Sequence, residues 1–177
     1  MLVVFIHGPA ASGKHTIGSL LSARTGLPLF HNHLAVDLAR TLFEFGSKAF
    51  IQLRAAIWLA AFSEAEAAGK SFIFTFHPEA TVDWRLVEKL VRIVEESDGR
   101  VHFVELKADR ETLLERLGNA SRASFGKLMD PDIFRQIESA GGFEFPALPD
   151  PLVVIDTQTV TAEDAAVMIE KALNGVA

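Results

Sequence analysis

Short apolar runs alternate along the chain with longer segments in which apolar residues recur at helical spacing. Five runs have the length and the β-branched or aromatic content of strands, at 2–6, 27–30, 71–76, 101–108 and 152–156. Helical patterns occupy 14–25, 34–45, 49–68, 82–96, 132–139 and 161–173, and Asp109 caps a further helix that runs to about Leu117. The first run is continuously apolar, which is typical of a strand buried on both faces.

Strands that alternate with helices predict an α/β fold with a five-stranded parallel sheet and helices on both faces. The connections in such a fold are right-handed crossovers. Because 177 residues contain neither a repeat nor a linker, we expect residues 1–177 to form a single domain.

Composition excludes several classes of protein. A net charge of −6 gives no general basic surface for nucleic acid. With no cysteine, disulfides and thiolate metal sites are excluded. The N-terminus lacks a basic lead, and no apolar run has the length of a membrane span. We therefore expect a cytoplasmic protein without a nucleic-acid or membrane partner, whereas no pattern bears on oligomeric state.

The stretch "GPAASGKHT" follows the first strand and opens the first helix. Glycines let the backbone turn its N–H groups around a β-phosphate, and the positive end of the helix faces the same anion. A lysine adds a mobile charge that can follow a transferred γ-phosphoryl group. The expected nucleotide contacts are Gly8, Ala10, Ala11, Ser12, Gly13, Lys14, His15 and Thr16.

His15 stands where a metal-binding hydroxyl usually follows the lysine. Imidazole is a poor ligand for Mg²⁺, which prefers oxygen. The pattern Gly-Lys-x-Thr resembles adenylate kinases, which carry glycine at the x position and hold the metal largely through water. The resemblance implies a water-held Mg²⁺ near His15 and Thr16, with Thr16 bonded to the α-phosphate. His15 is open to two interpretations, a solvated helix residue or a direct role.

The segment "SRASFGKLMDPDIFRQIESAGGFEFP" follows a strand and a helix that ends near Arg116. It resembles the lid of P-loop small-molecule kinases, most closely the gluconate kinase and shikimate kinase group. The resemblance implies a three-layer P-loop fold, ATP and Mg²⁺ as cofactors, and a lid at about 118–130. It also implies that Arg116, Arg122 and Lys127 hold or neutralise the phosphates; a solvated charged face is the alternative.

The second strand is followed by "FHNHLAVD", where the shikimate kinase pattern has Asp-x-Asp. Strand ends in such sheets face the ligand crevice, so we expect His31 and His33 to contact the acceptor. Asp37, one helical turn after His33, is the carboxylate that we expect to orient an acceptor hydroxyl. Two alternatives stay open: a transition-metal site, and a simple helix start at His33 with Asn32 near the cap.

The third strand ends in "FTFHPEA", without the metal-holding aspartate that is common at such strand ends. We expect His77 to contact the acceptor and Glu79 to organise metal-bound water, unless Pro78 merely sets a turn. Arg54 lies on an otherwise apolar helix and needs an anionic partner, either a substrate or a buried carboxylate. We place Arg54, His77 and Glu79 among the substrate-binding residues.

These patterns predict an ATP-dependent phosphotransferase that acts on a small hydroxylated metabolite. The guanine motif Asn-Lys-x-Asp is absent, which favours ATP over GTP. A nucleoside or nucleotide kinase is the first alternative. A non-kinase P-loop protein that binds or hydrolyses ATP is the second.

Overall fold

The computed structural model describes residues 1–118 and 130–176, and its strands form one parallel sheet of order β2-β3-β1-β4-β5. The central strand is β1, in which Ile6 lies between Thr75 of β3 and Val104 of β4. In chain order the strands are β1 (Leu2–His7), β2 (Leu29–His31), β3 (Phe72–Phe76), β4 (Arg100–Lys107) and β5 (Val153–Asp156).

Helices cover both faces of the sheet. The described helices are α1 (Lys14–Thr25), α2 (His33–Arg40), α3 (Lys48–Ala67), α4 (Trp84–Glu95), α5 (Arg110–Leu117), α6 (Pro131–Ser139) and α7 (Ala162–Asn174). On one face, Val4 and Ile6 of β1 pack with α1 and α7. On the other, Val3 and Phe5 pack with α3 and α4. Alternate residues of β1 therefore enter two separate cores, which explains why its sequence is continuously apolar.

The α/β architecture predicted from the sequence is confirmed, and several helix ends lie where their capping residues predict them. Helix α1 ends at Gly26, which adopts a φ of 74°. Asp109 accepts a hydrogen bond from the Thr112 amide, and Thr161 accepts one from the Asp164 amide. Helix α6 begins one residue before its predicted start, because Asp130 caps it.

Helix α2 is shorter than the predicted 34–45 and ends at Arg40. The chain turns before Ser47, whose hydroxyl accepts from the Phe50 amide and begins α3. Phe43 and Phe45, which fall in the predicted helix 34–45, are 37% and 52% exposed, while Phe50 is fully buried. The correction arises because a periodic apolar pattern does not show which part of it has a partner to pack against.

Candidate active site

The glycine loop between β1 and α1 has a backbone that only glycine fits at two points. Gly8 has a φ of 151°, and a Cβ atom there would lie 2.4 Å from the Leu106 carbonyl oxygen. Gly13 has a φ of 88° and directly precedes α1. Ala11 also adopts a positive φ, of 65°, which is uncommon for a residue with a Cβ atom. The loop is therefore a tight turn at the positive end of a helix dipole, which is the geometry of an anion site.

The side chain of Lys14 lies over this loop. Its ammonium donates to the carbonyl oxygens of Gly8 at 2.8 Å and Pro9 at 2.6 Å. A longer contact of 3.4 Å reaches the hydroxyl of Ser12, a residue with no exposed surface. The positive charge is thus held by oxygen atoms of the loop itself, while the exposed Thr16 lies in the first turn of α1.

His7, the last residue of β1, lies directly before the loop and was not among the predicted site residues. Its imidazole is 7% exposed, and Nε2 is buried without a hydrogen-bond partner among the described residues. Burial lowers the pKa of His7 to about 4; the Glu105 carboxylate opposes this shift, and Lys14 and Lys107 add to it. The imidazole is therefore neutral at pH 7. In the sequence, His7 stands out only as a polar residue at the end of an apolar strand.

Three imidazoles meet beside the loop, and we call His15, His31 and His33 the histidine cluster. The rings of His15 and His31 lie edge to face with centroids 4.7 Å apart, and those of His31 and His33 are 6.3 Å apart. The end of β2 is held in register by the Asn32 amide, which donates to the Thr75 hydroxyl at 3.2 Å. The cluster therefore joins the first turn of α1 to the end of β2. His15 is not simply a solvated helix residue.

Three further residues of this region lie at the cap of α2, on α2 and after β3. Asp37 is half-buried on α2, one turn after His33. Asn32 precedes α2 but makes no side-chain capping bond. His77 follows β3, and its Nδ1 lies 3.3 Å from the Gly8 carbonyl oxygen. The structure thus places His77 against the glycine loop.

Arg54 is in the core and not open to a ligand. Its guanidinium is 1% exposed and lies 2.6 Å from a carboxylate oxygen of Glu79. Thr81 accepts from both terminal nitrogens of Arg54. The sequence allowed either a substrate or a buried carboxylate as the anionic partner of Arg54, and in the structure the partner is the carboxylate of Glu79. Substrate binding by Arg54 and water organisation by Glu79 are both at odds with this arrangement, because each side chain already satisfies the charge of the other.

Arg116, at the end of α5, bonds to the segment after β5. Its guanidinium donates to the Thr157 hydroxyl at 2.9 Å and to the Thr157 carbonyl oxygen at 2.6 Å. The arginine is thereby fixed to the loop that follows the last strand. Arg122, Lys127 and nearly all of the predicted lid at 118–130 lie outside the described residues, so their roles stay predictions.

The described ranges contain neither a metal-ligand cluster nor a helix that could span a membrane. In residues 1–118 and 130–176, no group of three or more His, Asp or Glu side chains could hold a metal ion. The transition-metal alternative for His31 and His33 therefore lacks a third ligand there. None of the helices in the same ranges is long and apolar enough to cross a bilayer.

Solved structures with this architecture include several small-molecule kinases. A sugar kinase from Janibacter sp. superposes with a TM-score of 0.68 at 18% identity, over 98% of this chain and 95% of that one. A gluconokinase from Sinorhizobium meliloti 1021 gives 0.61 at 16% identity, over 99% and 97%. A shikimate kinase from Aquifex aeolicus gives 0.56 at 19% identity, over 98% and 96%. No protein-family model and no curated protein sequence matches the chain.

The chain therefore has the P-loop fold of the small-molecule kinases, as its sequence resemblance implied.

Proposed function

We propose that the protein is an ATP-dependent kinase that transfers the γ-phosphoryl group to a small hydroxylated acceptor. One observation carries the proposal: the 4.7 Å contact between His15 and His31. His15 follows the loop lysine, and His31 ends the strand that leads to the acceptor helix. The contact supports a donor site and an acceptor site that lie side by side, as direct phosphoryl transfer needs.

On the donor side, Lys14 and the loop of Gly8 to Gly13 hold the phosphates. The ammonium of Lys14 now bonds to carbonyl oxygens of its own loop. A bound nucleotide gives it phosphate oxygens in their place, and charge-assisted bonds of that kind are the stronger ones. His7, which directly precedes the loop, is neutral at pH 7 and adds no charge to the site. The positive potential at the loop therefore comes from Lys14 and from the N-terminus of α1.

The donor set fits Mg²⁺ held mainly by phosphate oxygens and water. Thr16 is exposed in the first turn of α1 and carries a hydroxyl. Glu79, the carboxylate that follows β3, is committed to Arg54. The metal would neutralise charge on the transferred phosphoryl group, and Thr16 would orient the α-phosphate beside it.

On the acceptor side, His31, His33 and Asp37 line the wall formed by the end of β2 and the start of α2. Imidazoles and a carboxylate can donate to and accept from hydroxyl groups, and a carboxylate can also receive the proton that the attacking hydroxyl loses. We assign Asp37 that role. Lid residues Arg122 and Lys127 would screen the transferred charge, and Arg116, which bonds to Thr157, would act with them on the phosphates.

An enzyme assay with a panel of acceptor compounds tests the proposal. Purified protein with ATP and Mg²⁺ is incubated with sugars, polyols, sugar acids, nucleosides and aminoglycosides, and ADP release is measured above the rate without acceptor. We expect at least one class to raise ADP release, and Lys14→Ala to abolish the increase. ADP release that no acceptor accelerates, in a protein that binds ATP, would instead favour the non-kinase ATP-hydrolysing alternative.

A further inference from the structure

We propose that His77 is a positioning residue of the donor site, which holds the Gly8 carbonyl oxygen when Lys14 leaves it for a phosphate. The inference rests on the proposed function only for its nucleotide site and does not depend on the acceptor. The juxtaposition behind it is a shared oxygen atom. The Lys14 ammonium donates to the Gly8 carbonyl at 2.8 Å, and Nδ1 of His77 lies 3.3 Å from the same oxygen.

The chemistry of the two groups fixes the direction of the hydrogen bond between His77 and Gly8. A carbonyl oxygen has no proton to give, so Nδ1 carries the hydrogen and donates it. At 3.3 Å this bond is longer than is usual for an N–H donor, while Lys14 bonds to the same oxygen at 2.8 Å. His77 is therefore the weaker of two donors to Gly8 as long as the ammonium stays on the loop.

The segment after α6 holds the His77 ring in place. The ring centroids of His77 and Phe143 are 5.4 Å apart, and those of Phe143 and Phe134 are 4.8 Å apart. The Ala80 amide donates to the Gly142 carbonyl oxygen at 2.9 Å, which joins the turn after β3 to this segment. The imidazole is thus fixed by ring packing and by a backbone bond, and it needs no rearrangement to stay on the loop.

The same aromatic residues support the glycine loop at a second point. Ala11, which has the positive φ of 65°, packs with Phe134, and Phe143 packs against this group. The loop therefore has one support at Ala11 and, through His77, another at Gly8. Two supports of this kind keep the shape of an anion-binding loop while its lysine moves.

The contribution of His77 depends on whether Lys14 is on the loop. Gly8 is buried, and Lys14 and His77 are the two donors to its carbonyl oxygen in the part of the chain that the structure describes. When the ammonium turns to a phosphate, loss of the imidazole would leave that carbonyl without a hydrogen bond, which is costly for a buried group. His77 therefore stabilises the nucleotide-bound form more than the free form and raises the affinity for ATP.

Calorimetric titration with ATP and Mg²⁺ tests this inference on two variants. His77→Phe keeps an aromatic ring beside Phe143 but has no donor, whereas His77→Asn keeps an N–H group as many bonds from Cβ as Nδ1 is. We expect Kd to rise about tenfold in His77→Phe and less than about threefold in His77→Asn. Equal Kd values in the wild type and His77→Phe would overturn the inference, and so would equal losses in the two variants.

His102→Phe is the matched control, because it makes the same substitution at a half-buried histidine in the middle of β4, beside Val4. It should keep the wild-type Kd. A Kd raised as much as in His77→Phe would show that the loss does not come from the contact with Gly8, and would overturn the inference.

Two further measurements separate positioning from other roles of His77. In urea unfolding without nucleotide, His77→Phe should have nearly the midpoint of the wild type, because Lys14 then holds Gly8. A large loss of stability there would mean that His77 supports the fold in every state. In turnover with an active acceptor, KM should rise about tenfold for ATP and stay unchanged for the acceptor. The reverse pattern would make His77 an acceptor contact, as the sequence suggested.

Histidine ¹⁵N NMR of the wild type with ATP decides the question should His77→Phe not fold. The His77 signals, assigned by their loss in His77→Asn, should show a hydrogen on Nδ1, and a neutral ring protonated at Nε2 alone would overturn the inference. Calorimetry separates this inference from the proposed function. No ATP binding by the wild type would overturn both, whereas ATP binding without transfer to any acceptor would overturn the kinase proposal alone.

Discussion

The imidazole of His15 packs edge to face against that of His31, with their ring centroids 4.7 Å apart. One ring belongs to the phosphate loop and the first turn of α1, and the other ends β2. The sheet order brings this about, because β3 alone separates β2 from β1 and all three strands run parallel. The unusual residue after Lys14 thus contacts the end of β2, which we propose as part of the acceptor wall.

The donor assignment predicts that Lys14→Ala removes most of the stabilisation given by ATP and Mg²⁺. A ligand that binds only the native state stabilises it by RT ln(1 + [L]/Kd), about 2.7 kcal/mol at one hundred times Kd. Thermal unfolding with and without nucleotide measures the gain. Lys171→Ala, an exposed lysine on α7, is the control and should keep the full gain. Equal gains in the wild type and Lys14→Ala would refute the donor assignment.

The acceptor assignment predicts that Asp37→Asn lowers turnover at least about 100-fold, the usual contribution of general base catalysis. Because donor and acceptor use different walls, ATP should stabilise this variant as much as the wild type. The steady-state rate with the best acceptor and the nucleotide-induced thermal shift are measured together. Asp150→Asn, an exposed residue before β5, should leave both quantities unchanged. A parallel loss of nucleotide binding would place Asp37 on the donor side instead.

His7 predicts a pH dependence of stability. Its pKa is about 4 in the folded protein and about 6.5 in an unfolded chain, so the unfolded state binds more protons between these values. Stability is therefore complete above pH 6.5 and is lost as the pH falls towards 4. From pH 7.5 to 5.0 His7 alone should lower the free energy of unfolding by about 2 kcal/mol.

Urea unfolding of the wild type and His7→Gln at both pH values isolates this contribution. The variant should lose about 2 kcal/mol less than the wild type over the same interval. His102→Gln is the comparison, because His102 is half-buried on β4 and burial also lowers its pKa. We expect His102→Gln to reduce the pH dependence of the free energy of unfolding less than His7→Gln does. Identical pH dependence in His7→Gln and the wild type would mean that His7 is not buried in its neutral form.

Because Arg54 and Glu79 form a buried ion pair, we expect the loss of one partner to destabilise the protein more than the loss of both. Arg54→Met leaves a buried carboxylate without its cation and should destabilise the protein by about 3–5 kcal/mol. The double variant Arg54→Met/Glu79→Gln should recover part of this loss, because no charge is then stranded. Arg24→Met, which breaks an exposed pair, should cost less than about 1 kcal/mol. A small effect of Arg54→Met in urea unfolding would show that the pair is solvated.

Features set by local sequence were predictable. Helix α1 begins at Lys14 and ends at Thr25 as its periodicity and its following glycine indicate. The loop residues and the five strands likewise follow from short-range patterns. His31 at the end of β2 and His33 at the start of α2 could be placed near the loop only through the general rule that parallel strand ends share one edge.

Features set by distant contacts were not predictable. The partner of Arg54 lies 25 residues away, and no spacing in the sequence distinguishes Glu79 from a substrate anion. His7 gave little signal, because the shift of its pKa comes from burial that a sequence does not display. The end of α2 at Arg40 was likewise missed: Gly46, inside the predicted helix boundary region, adopts a φ of 77°, and Ser47 then caps α3.

The most direct test of the central claim follows the γ-phosphoryl group itself. ATP labelled in that group is incubated with Mg²⁺, the protein and the best acceptor of the panel, and the products are separated. The account predicts that label appears in the acceptor in proportion to ADP formed, and that Lys14→Ala gives no labelled acceptor. Label found solely in inorganic phosphate, at the same rate with and without acceptor, would contradict it.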